Sequence, residues 1–385
     1  MKLILVTGAR PNFVKIAPIV RALEKIRGQQ SRCLTKRHNQ NLEWRIVHTG
    51  QHYDYEMSQV FFEELDIPEP DYHLNAGAGT HAEQTAKIMV AFERICAKEK
   101  PDLVVVLGDV NSTLACSITA KKLGLKVAHI EAGLRSGDMT MPEEINRIVT
   151  DAISDFLFVT EESAVINLKR EGKKDEQIFF VGNIMIDTLY YCLRKLENEK
   201  EVTGLSTGNE DYAVATLHRP SNVDNKKKLR SILSALVEIS TDLPIYLPLH
   251  PRTKNNIENF KLNGIFEKSN IRLMEPLSYF RFIRLLKNAK LVITDSGGIQ
   301  EEATVLGIPC FTVRENTERP VTVDEGTNTI VGTSKRAILN AYRDFKSGSV
   351  KKGRIPKYWD GMTADRIVNI LLEKLRRGGK EGRDG

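Results

Sequence analysis

The stretch LVITDSGGIQEEATVLGIPCF at residues 291–311 shows how the chain is built. An apolar run of strand length stops at Asp295, two glycines follow, and a helical pattern then runs to Leu306 and Gly307 before a second apolar run. Strand, polar turn, helix and strand in this order are typical of a βαβ unit with parallel strands. The same order recurs at residues 103–130, where LVVVLGDVN leads through a helical pattern to LGLKVAHI.

The rest of the chain continues this alternation on both sides of residue 182. The first part opens with a strand at 2–7, a turn at 8–11 and a helix at 12–26, and after Gly182 the rhythm restarts with a strand at 212–219. We therefore predict an α/β protein of two Rossmann-like domains with parallel sheets that face a cleft. The predicted limits are residues 1–181 and 182–362, with a final helix at 363–377 that packs back onto the first domain.

Length and composition fit a globular protein of two domains. The chain has 385 residues, 41% hydrophobic and 28% charged, which is enough for two cores. Its apolar runs fall short of the ~20 residues that cross a bilayer, and its beginning has no long apolar region, so neither a membrane partner nor export is expected. Five cysteines without a Cys-x-x-Cys pair indicate reduced thiols and a cytoplasmic location.

The net charge of +6 raises the alternative of a nucleic-acid partner. Much of the excess is local: residues 27–45 hold five arginines and lysines against Glu43, a balance of +4. Aromatic residues do not alternate with these charges, and no helix-turn-helix or RNA-binding signature is present. We interpret them as solvated basic segments and expect no nucleic-acid partner, with a surface for another polyanion as the alternative.

Ligand sites in such folds lie beyond the carboxyl ends of the strands and between domains. This rule selects the polar residues that directly follow the predicted strands as the candidates for chemistry. They are Arg10, His48, Gln51, Asp109, Glu131, His218, His250, Ser296 and Arg319.

Ser296, Gly297 and Gly298 precede a helix, and their exposed backbone amides are suited to a diphosphate. The alternative is a simple serine N-cap followed by flexible glycines. Glu302 lies a full turn inside the helix, where its carboxylate can accept hydrogen bonds from the hydroxyls of a ribose. Glu301 is interpreted as a solvated helix charge.

Positive side chains lie at the starts of helices in both halves. Arg10 and Lys15 can clamp a phosphate or a sugar substituent, or be surface charges. In the second half His218, Arg219 and Arg319 can supply positive charge to a dianionic ligand, although strand-end residues of these types are often structural. The turn at residues 8–11 lacks the Gly-x-Gly-x-x-Gly spacing of a nicotinamide-binding turn, so no such cofactor is expected.

Asp109 and Glu131 end two consecutive strands that the crossover rule places near each other. Two carboxylates at one crevice suit general acid/base catalysis, because their repulsion raises the pKa of one of them. A magnesium site is the rival interpretation, but a third acidic ligand with clear spacing is missing. Glu143, at another helix start, is equally compatible with helix-dipole stabilisation and with function. His48 and His52 lack the spacing of a helical metal pair, and no metal is expected.

These segments together resemble one enzyme family. The segments GARPNFVK, HTGQH, GDVNST, HIEAGLRS, PEEINR, TLHRP, LPLHPRT, TDSGGIQEEA and TERP occur in this order and closely resemble the non-hydrolysing UDP-N-acetylglucosamine 2-epimerases. The resemblance covers nearly the whole chain. It implies the two-domain glycosyltransferase-B fold, a UDP-sugar in the interdomain cleft and a homodimer.

The resemblance also implies which residues are functional. The matching positions are Arg10, Lys15, Asp109, Glu131, Glu143, His218, Phe282, Ser296, Gly298, Glu302 and Arg319. A second nucleotide-sugar site, which activates many bacterial members, would use Gln51, His52, Arg219 and His250.

Chemistry favours the same reaction. The C2 proton of an N-acetylhexosamine is not adjacent to a carbonyl, and without a nicotinamide its transient oxidation is not available. Elimination of UDP to a 2-acetamidoglucal, followed by re-addition after C2 is reprotonated on the other face, remains as the route. It requires acid/base carboxylates and retention of UDP.

The sequence departs from the family pattern at several points. Residues 27–42 look like an inserted surface loop, Val110 replaces a usual Thr, and Leu277 replaces a Gln that often contacts uracil. Asp54 replaces a usual Gln and residues 71–90 contain no Arg, which argues against allosteric activation.

Three alternatives to a UDP-N-acetylglucosamine 2-epimerase remain open at the level of sequence. The first has the same chemistry on a UDP-2,3-diacetamido-uronic acid, and the intact TERP segment argues against it only weakly. The second is a retaining glycosyltransferase, which would leave the C2 proton in place. The third is a UDP-sugar sensor without catalysis, which would need neither Asp109 nor Glu131.

Overall fold

The computed structural model describes residues 1–8, 10–32, 42–50, 62–198 and 210–381. The side chains of residues 10, 11, 30–32 and 377–381 are outside this description. The chain forms two compact units, one of Met1–Thr188 with Lys357–Gly385 and the other of Leu189–Pro356.

The first unit contains a seven-stranded parallel sheet. Its strands are β1 (Lys2–Thr7), β2 (Glu43–His48), β3 (Tyr72–His73), β4 (Leu103–Leu107), β5 (Lys126–Ala132), β6 (Phe156–Val159) and β7 (Ile178–Phe180). They are arranged in the order β3-β2-β1-β4-β5-β6-β7. All five residues of β4 are buried, as expected of a parallel strand that is covered on both faces.

Helices connect these strands and cover the sheet. They are α1 (Arg10–Arg32), α2 (His81–Glu99), α3 (Asn111–Lys122), α4 (Pro142–Ile153), α5 (Glu162–Arg170) and α6 (Ile184–Asn198). The predicted inserted loop at 27–42 is wrong at its start, because α1 continues to Arg32. Arg27, Gln29 and Gln30 have good helix propensity, and the helix continues through Gly28 to Arg32.

The second unit contains a six-stranded parallel sheet. Its strands are β8 (Ala213–Thr216), β9 (Ile245–Pro248), β10 (Ile271–Met274), β11 (Leu291–Thr294), β12 (Cys310–Thr312) and β13 (Asn328–Ile330). Their order is β10-β9-β8-β11-β12-β13. The helices are α7 (Pro220–Val223), α8 (Lys226–Ile239), α9 (Pro251–Asn259), α10 (Tyr279–Lys287), α11 (Gly297–Leu306), α12 (Pro320–Asp324) and α13 (Lys335–Lys346).

The two sheets have the same topology through six strands. In each unit the first strand lies beside the fourth, β1 beside β4 and β8 beside β11. This reversal of strand order is the point at which doubly wound sheets bind ligands at their carboxyl ends. The prediction of two similarly built Rossmann-like parallel-sheet domains is confirmed.

The last helix, α14 (Thr363–Glu381), belongs to the first unit. The amides of Thr363 and Ala364, at the start of α14, donate hydrogen bonds of 3.1 and 2.7 Å to the buried Asp187. Burial raises the pKa of Asp187 to about 6, although these amides oppose the shift. Lys25 of α1 forms an ion pair with Asp365 at 3.3 Å. Among the described residues, no helix has the length and apolarity needed to cross a membrane.

Candidate functional site

In the first unit the turn after β4 brings the backbone against a buried ion pair. Gly108 has φ of +65°, and a Cβ at this position would lie 2.9 Å from Lys15 Nζ and 3.5 Å from Glu131 Oε2. Lys15 and Glu131 are both buried and form an ion pair. A larger residue at 108 would therefore displace the pair, and glycine also adopts the left-handed backbone without strain.

Glu131 lies at an irregularity of β5. The register of β5 against β6 shifts between Ile130 and Ala132, and Glu131 between them has φ of +76°. Such a bulge redirects a side chain, and a non-glycine residue in this region stores roughly 1–3 kcal/mol of strain. Strain of this kind is typical of functional sites, so the backbone supports a functional role of the Glu131 carboxylate.

Asp109 presents its carboxylate more openly. Its side chain is 30% exposed and forms an ion pair with Arg147 Nη1 at 2.5 Å, and its carbonyl accepts a hydrogen bond from Asn146. Arg147 is itself buried and also binds Glu144. Asn146 and Arg147 of α4 thus hold Asp109 in place, and its carboxylate remains accessible to a ligand.

The two acidic residues at the start of α4 differ in their surroundings. Glu143, the predicted candidate, is half-buried, and within the described chain it has no hydrogen bond or ion pair. Glu144 is buried and accepts hydrogen bonds from the amides of Ser136 and Gly137. Burial raises the pKa of Glu144, but bonds from Ser136 and Arg147 outweigh it, so the pKa is lowered overall. Glu144 is therefore structural, whereas Glu143 stays available.

The second unit places His218 at the equivalent strand end. His218 Nδ1 lies 2.9 Å from Asp295 Oδ1, and the His218 ring is 37% exposed. Asp295 is fully buried and also accepts hydrogen bonds from the amides of His218 and Arg219. Burial raises the pKa of Asp295, but the contacts with His218 outweigh it and lower the pKa. Asp295 therefore orients the His218 ring and joins the ends of β8 and β11.

The glycine turn before α11 is tight. The hydroxyl of Ser296 makes no capping bond to the amides of α11, so the simple serine N-cap that was the alternative does not occur. A Cβ on Gly297 would lie 2.8 Å from Glu318 Oε1 and 3.9 Å from Arg319 Cγ. The amides at the start of α11 are thus uncapped by Ser296, and both the Glu318 carboxylate and the Arg319 side chain lie beside Gly297.

Arginines and carboxylates form a buried cluster beside this turn. Glu318 lies 2.7 Å from both Arg219 and Arg314, and Arg319 lies 2.7 Å from Glu301. Burial raises the pKa of Glu318, but the arginines outweigh it and hold the pKa far below its usual value. The prediction that Glu301 is a solvated charge is wrong, because this face of α11 packs against Arg319 and leaves Glu301 only 1% exposed.

Glu302 has a different environment from Glu301. It is buried, and Tyr279 donates a hydrogen bond of 2.8 Å to its Oε1. Burial raises the pKa of Glu302 to about 8, so the carboxyl is largely neutral at pH 7. A neutral carboxyl both donates and accepts hydrogen bonds, which suits contact with a pair of hydroxyls.

The remaining predicted residues are placed as follows. Phe282 is half-buried and packs with Tyr212, Val214 and Tyr246. His250 caps α9, its Nδ1 accepting from the amide of Arg252 at 3.2 Å, and its ring lies 5.8 Å from that of His218. Gln51, His52, Asp54 and the side chain of Arg10 lie outside the described residues.

Several residues of the two sites were missed by sequence reasoning. Arg147 and Glu144 are three positions apart on one helix, and Arg314 and Glu318 are four apart. Opposite charges at these spacings are a signal that could have found them. No group of three or more His, Cys, Asp or Glu in the described ranges is arranged to hold a metal ion.

Comparison with known proteins identifies one family. A family model described as UDP-N-acetylglucosamine 2-epimerase matches residues 35–372. A UDP-N-acetylglucosamine 2-epimerase of Methanocaldococcus jannaschii is 44% identical over 377 residues, which cover 96% of this chain and 99% of that protein. A UDP-2,3-diacetamido-2,3-dideoxy-D-glucuronate 2-epimerase of Pseudomonas aeruginosa is 40% identical over 97% of this chain and 100% of its own length.

A solved structure agrees with the sequence relatives. The crystal structure of the Methanocaldococcus jannaschii UDP-GlcNAc 2-epimerase in complex with UDP-GlcNAc and UDP superposes with a TM-score of 0.87 at 44% identity. The match covers 97% of this chain and 100% of that chain.

Proposed function

This chain belongs to the UDP-N-acetylglucosamine 2-epimerase family, and we propose that it interconverts UDP-N-acetylglucosamine and UDP-N-acetylmannosamine. The observation that carries the proposal is the pair of strand-end carboxylates in the first unit. Asp109 and Glu131 follow neighbouring strands, β4 and β5, and each is held by a buried cation, Arg147 or Lys15. Two carboxylates with separate partners can take part in separate proton transfers.

The second unit supplies groups that would retain UDP. The backbone amides of Ser296–Gly298 would receive the diphosphate. Arg219, Arg314 and Arg319 lie beside this turn and form ion pairs with Glu318 and Glu301. Glu302 would bind the ribose hydroxyls, and Phe282 would line the nucleotide.

The reaction proceeds by elimination and addition. Departure of UDP breaks the C1–O bond, and the electron pair leaves with the diphosphate. The positive charge that develops at C1 acidifies the C2 proton, a carboxylate takes this proton, and the C1=C2 double bond of 2-acetamidoglucal forms. A second acid then protonates C2 on the opposite face, and UDP re-adds at C1. Hydrogen-bond donors and arginines at the departing diphosphate stabilise the charge that develops there.

Asp109 and Glu131 are assigned to the two proton transfers at C2. Lys15 forms an ion pair with Glu131, and Arg147 forms one with Asp109, so each carboxylate is held in place by its own cation. Glu143 and His218 are the next candidates, since Glu143 has no hydrogen bond or ion pair among the residues that the structure describes and the ring of His218 is oriented by Asp295. Arg10 and Lys15 would contact the diphosphate or the sugar.

A second candidate substrate is a UDP-2,3-diacetamido-uronic acid. The specific observation in its favour is the 40% identity to the Pseudomonas aeruginosa enzyme over 97% of this chain. The chemistry at C1 and C2 would be identical, so this substrate differs only in the groups at C3 and C5 that the protein must accommodate.

Incubation with UDP-N-acetylglucosamine in deuterated water tests the reaction. The expected result is UDP-N-acetylmannosamine that carries deuterium at C2, without any added cofactor, and a parallel incubation with the diacetamido-uronate separates the two substrates. Retention of hydrogen at C2 together with sugar transfer to an acceptor would instead identify a glycosyltransferase.

Three further expectations belong to this proposal. A second nucleotide-sugar site of Gln51, His52, Arg219 and His250 rests on the resemblance and is tested by the dependence of rate on UDP-N-acetylglucosamine. A homodimer rests on the same resemblance and is tested by light scattering. A cytoplasmic location is supported by Cys96, Cys116, Cys192 and Cys310, which are all free and buried, and is tested by fractionation of cells.

A further inference from the structure

The turn that ends β4 is held by buried side chains at three successive carbonyls. The carbonyl of Leu107 accepts from Asn12 Nδ2 at 2.8 Å, that of Gly108 lies 2.8 Å from His129 Nε2, and that of Asp109 accepts from Asn146 Nδ2 at 2.8 Å. Backbone turns seldom use three side-chain donors in a row, because most are satisfied by backbone or water. This turn is therefore fixed more firmly than the chain path alone requires.

His129 makes the central one of these contacts from inside the sheet. It lies in β5 opposite Val106 of β4 and is fully buried. Its other ring nitrogen, Nδ1, lies 2.6 Å from Asp151 Oδ1. Asp151 is also fully buried and accepts from the amide of Gly133 at 3.0 Å and from Arg135 Nη2 at 2.8 Å.

Each nitrogen of the His129 ring has its own partner. A carbonyl oxygen only accepts, so His129 Nε2 donates to Gly108. Burial raises the pKa of Asp151, but contacts with His129 and Arg135 outweigh it and lower the pKa, so the carboxylate is ionised and also accepts. The two nitrogens of His129 thus face two acceptors, and the buried ring is locked between Asp151 and Gly108.

We propose that His129 is a positioning residue for the epimerase reaction, because its hydrogen bond to the Gly108 carbonyl fixes the orientation of the Asp109 carboxylate relative to Glu131. This inference rests on the proposed function. The amide of Gly108 is already bound to the carbonyl of Ile130 at 3.1 Å, and His129 fixes the carbonyl on the following peptide. Without this bond the 108–109 peptide can rotate, and the Asp109 side chain moves with it.

The cost of the arrangement supports a role beyond packing. The neighbouring residues of β5, Val127, Ala128 and Ile130, are buried and apolar. A leucine at 129 would fill a similar volume without the desolvation of a polar ring, and burying a polar group costs free energy unless its hydrogen bonds are made. A buried histidine beside a buried carboxylate is therefore weak as a stabilising device and well suited to holding one carbonyl.

Two variants of His129 separate positioning from stability. His129→Leu removes the donor, and His129→Gln keeps an N–H that can reach the Gly108 carbonyl. We expect the leucine variant to lose about 10- to 100-fold in kcat, since a misplacement of roughly 1 Å has this effect, with UDP affinity unchanged. The glutamine variant should recover most of the loss. Asp187→Asn is the matched control, because Asp187 is also a buried polar residue of the first unit. This variant should keep the kcat of the wild type.

The outcomes decide between the two roles. A leucine variant with wild-type kcat, or a glutamine variant that is folded but as slow as the leucine variant, would overturn the proposal. A substrate-independent readout separates it from the proposed function: in a crystal structure of His129→Leu, Asp109 should be displaced from its position against Arg147. If the wild type did not epimerise UDP-N-acetylglucosamine, the function would fail, whereas an unmoved Asp109 would overturn the role of His129 alone.

Discussion

The end of β4 in the first unit and the end of β11 in the second occupy the same place in the same topology but carry different groups. The first presents carboxylates, Asp109 and Glu131, with Lys15 and Arg147 behind them. The second presents the backbone amides at the start of α11, where the Glu318 carboxylate and Arg319 lie against Gly297 and Arg319 pairs with Glu301. The proposed function assigns proton transfer to the first of these ends and anion binding to the second.

An aspartate in each turn shows how the difference arises. Asp295 follows β11 directly, is fully buried, and holds the amides of His218 and Arg219. Asp109 is separated from β4 by Gly108, whose left-handed backbone redirects the chain, and its side chain is 30% exposed. With the additional glycine, Asp109 is partly exposed. Without it, Asp295 is buried and closes the turn through its hydrogen bonds. The topology therefore decides where a site lies, and the turn decides what it does.

The largest expected effect tests the acid/base half of this comparison. Asp109→Asn and Glu131→Gln keep the size of the side chain but cannot exchange a proton at the required step. General acid/base groups contribute ~10²–10⁴-fold, so turnover should fall by at least about 100-fold. UDP affinity, measured by calorimetry, should stay close to that of the wild type, because neither carboxylate is assigned to the nucleotide.

Either variant with near-normal turnover would remove that residue from the proton transfers and make Glu143 or His218 the next candidate. Asn146→Ala serves as the structural control for Asp109. It removes a hydrogen bond to the Asp109 carbonyl but no titratable group, so it should cost less than Asp109→Asn.

The next effect concerns how stability depends on pH in the second unit. Burial raises the pKa of Glu302 to about 8, so between about pH 4.5 and 8 the folded protein keeps a proton that the unfolded chain releases. Stability therefore falls as pH rises through this window. Glu302→Gln cannot ionise, and its stability relative to the wild type should increase by on the order of 3 kcal/mol between pH 5 and 8. Thermal unfolding at both pH values measures it.

Asp187 provides the comparison in the first unit. Burial raises its pKa only to about 6, so the advantage of Asp187→Asn should level off above pH 6, whereas that of Glu302→Gln should still grow. If the stability of both variants and of the wild type changed with pH in the same way, neither group would be protonated in the folded protein.

The binding half of the comparison is tested by Glu302→Ala. Loss of hydrogen bonds to the ribose hydroxyls should cost roughly 1–3 kcal/mol, or about ten- to hundredfold in UDP affinity. Glu258→Ala, on the exposed face of α9, is the matched control and should bind UDP like the wild type. An unchanged affinity of Glu302→Ala in calorimetry would exclude Glu302 from the site.

The smallest effect should be equal in the two units. Thr80 caps α2 by accepting from the amide of Glu83, and Ser334 caps α13 by accepting from that of Ala337. Replacing either residue with alanine should lower stability by about 1 kcal/mol without a change in kcat. A loss of turnover in one of them would show that remote helix ends influence that site.

Sequence patterns predicted most of the fold because they depend on local physics. The apolar run that begins at residue 103 forms β4 at Leu103–Leu107, and the predicted strand at 2–7 matches β1 at both ends, since continuous apolar runs define both. The predicted strand ends in the second unit were less accurate. The predicted strand 212–219 shortens to β8 at Ala213–Thr216, because Asp295 holds the amides of His218 and Arg219 outside the sheet ladder.

The candidate site was predicted in its residues but not in its contacts. The positions of Asp109, Glu131, Ser296 and Glu302 follow from motifs at strand ends and helix starts. The burial of Glu301 does not, since helix periodicity gives the face of a residue and not the partner that covers it. The ion pair of Glu301 with Arg319 forms only when α11 packs beside the residues that follow β12.

The sequence alone therefore determined the βαβ order, the two parallel sheets, the family and the strand-end residues, because each is encoded by residue types at short spacing. Only the tertiary structure decided the charges and orientations at the two sites. Lys15 and Glu131 are 116 positions apart, and the ring of His129 bridges α4 and the turn after β4. Contacts between residues so distant in the chain depend on how the elements pack, and a low-dielectric interior then sets their strength.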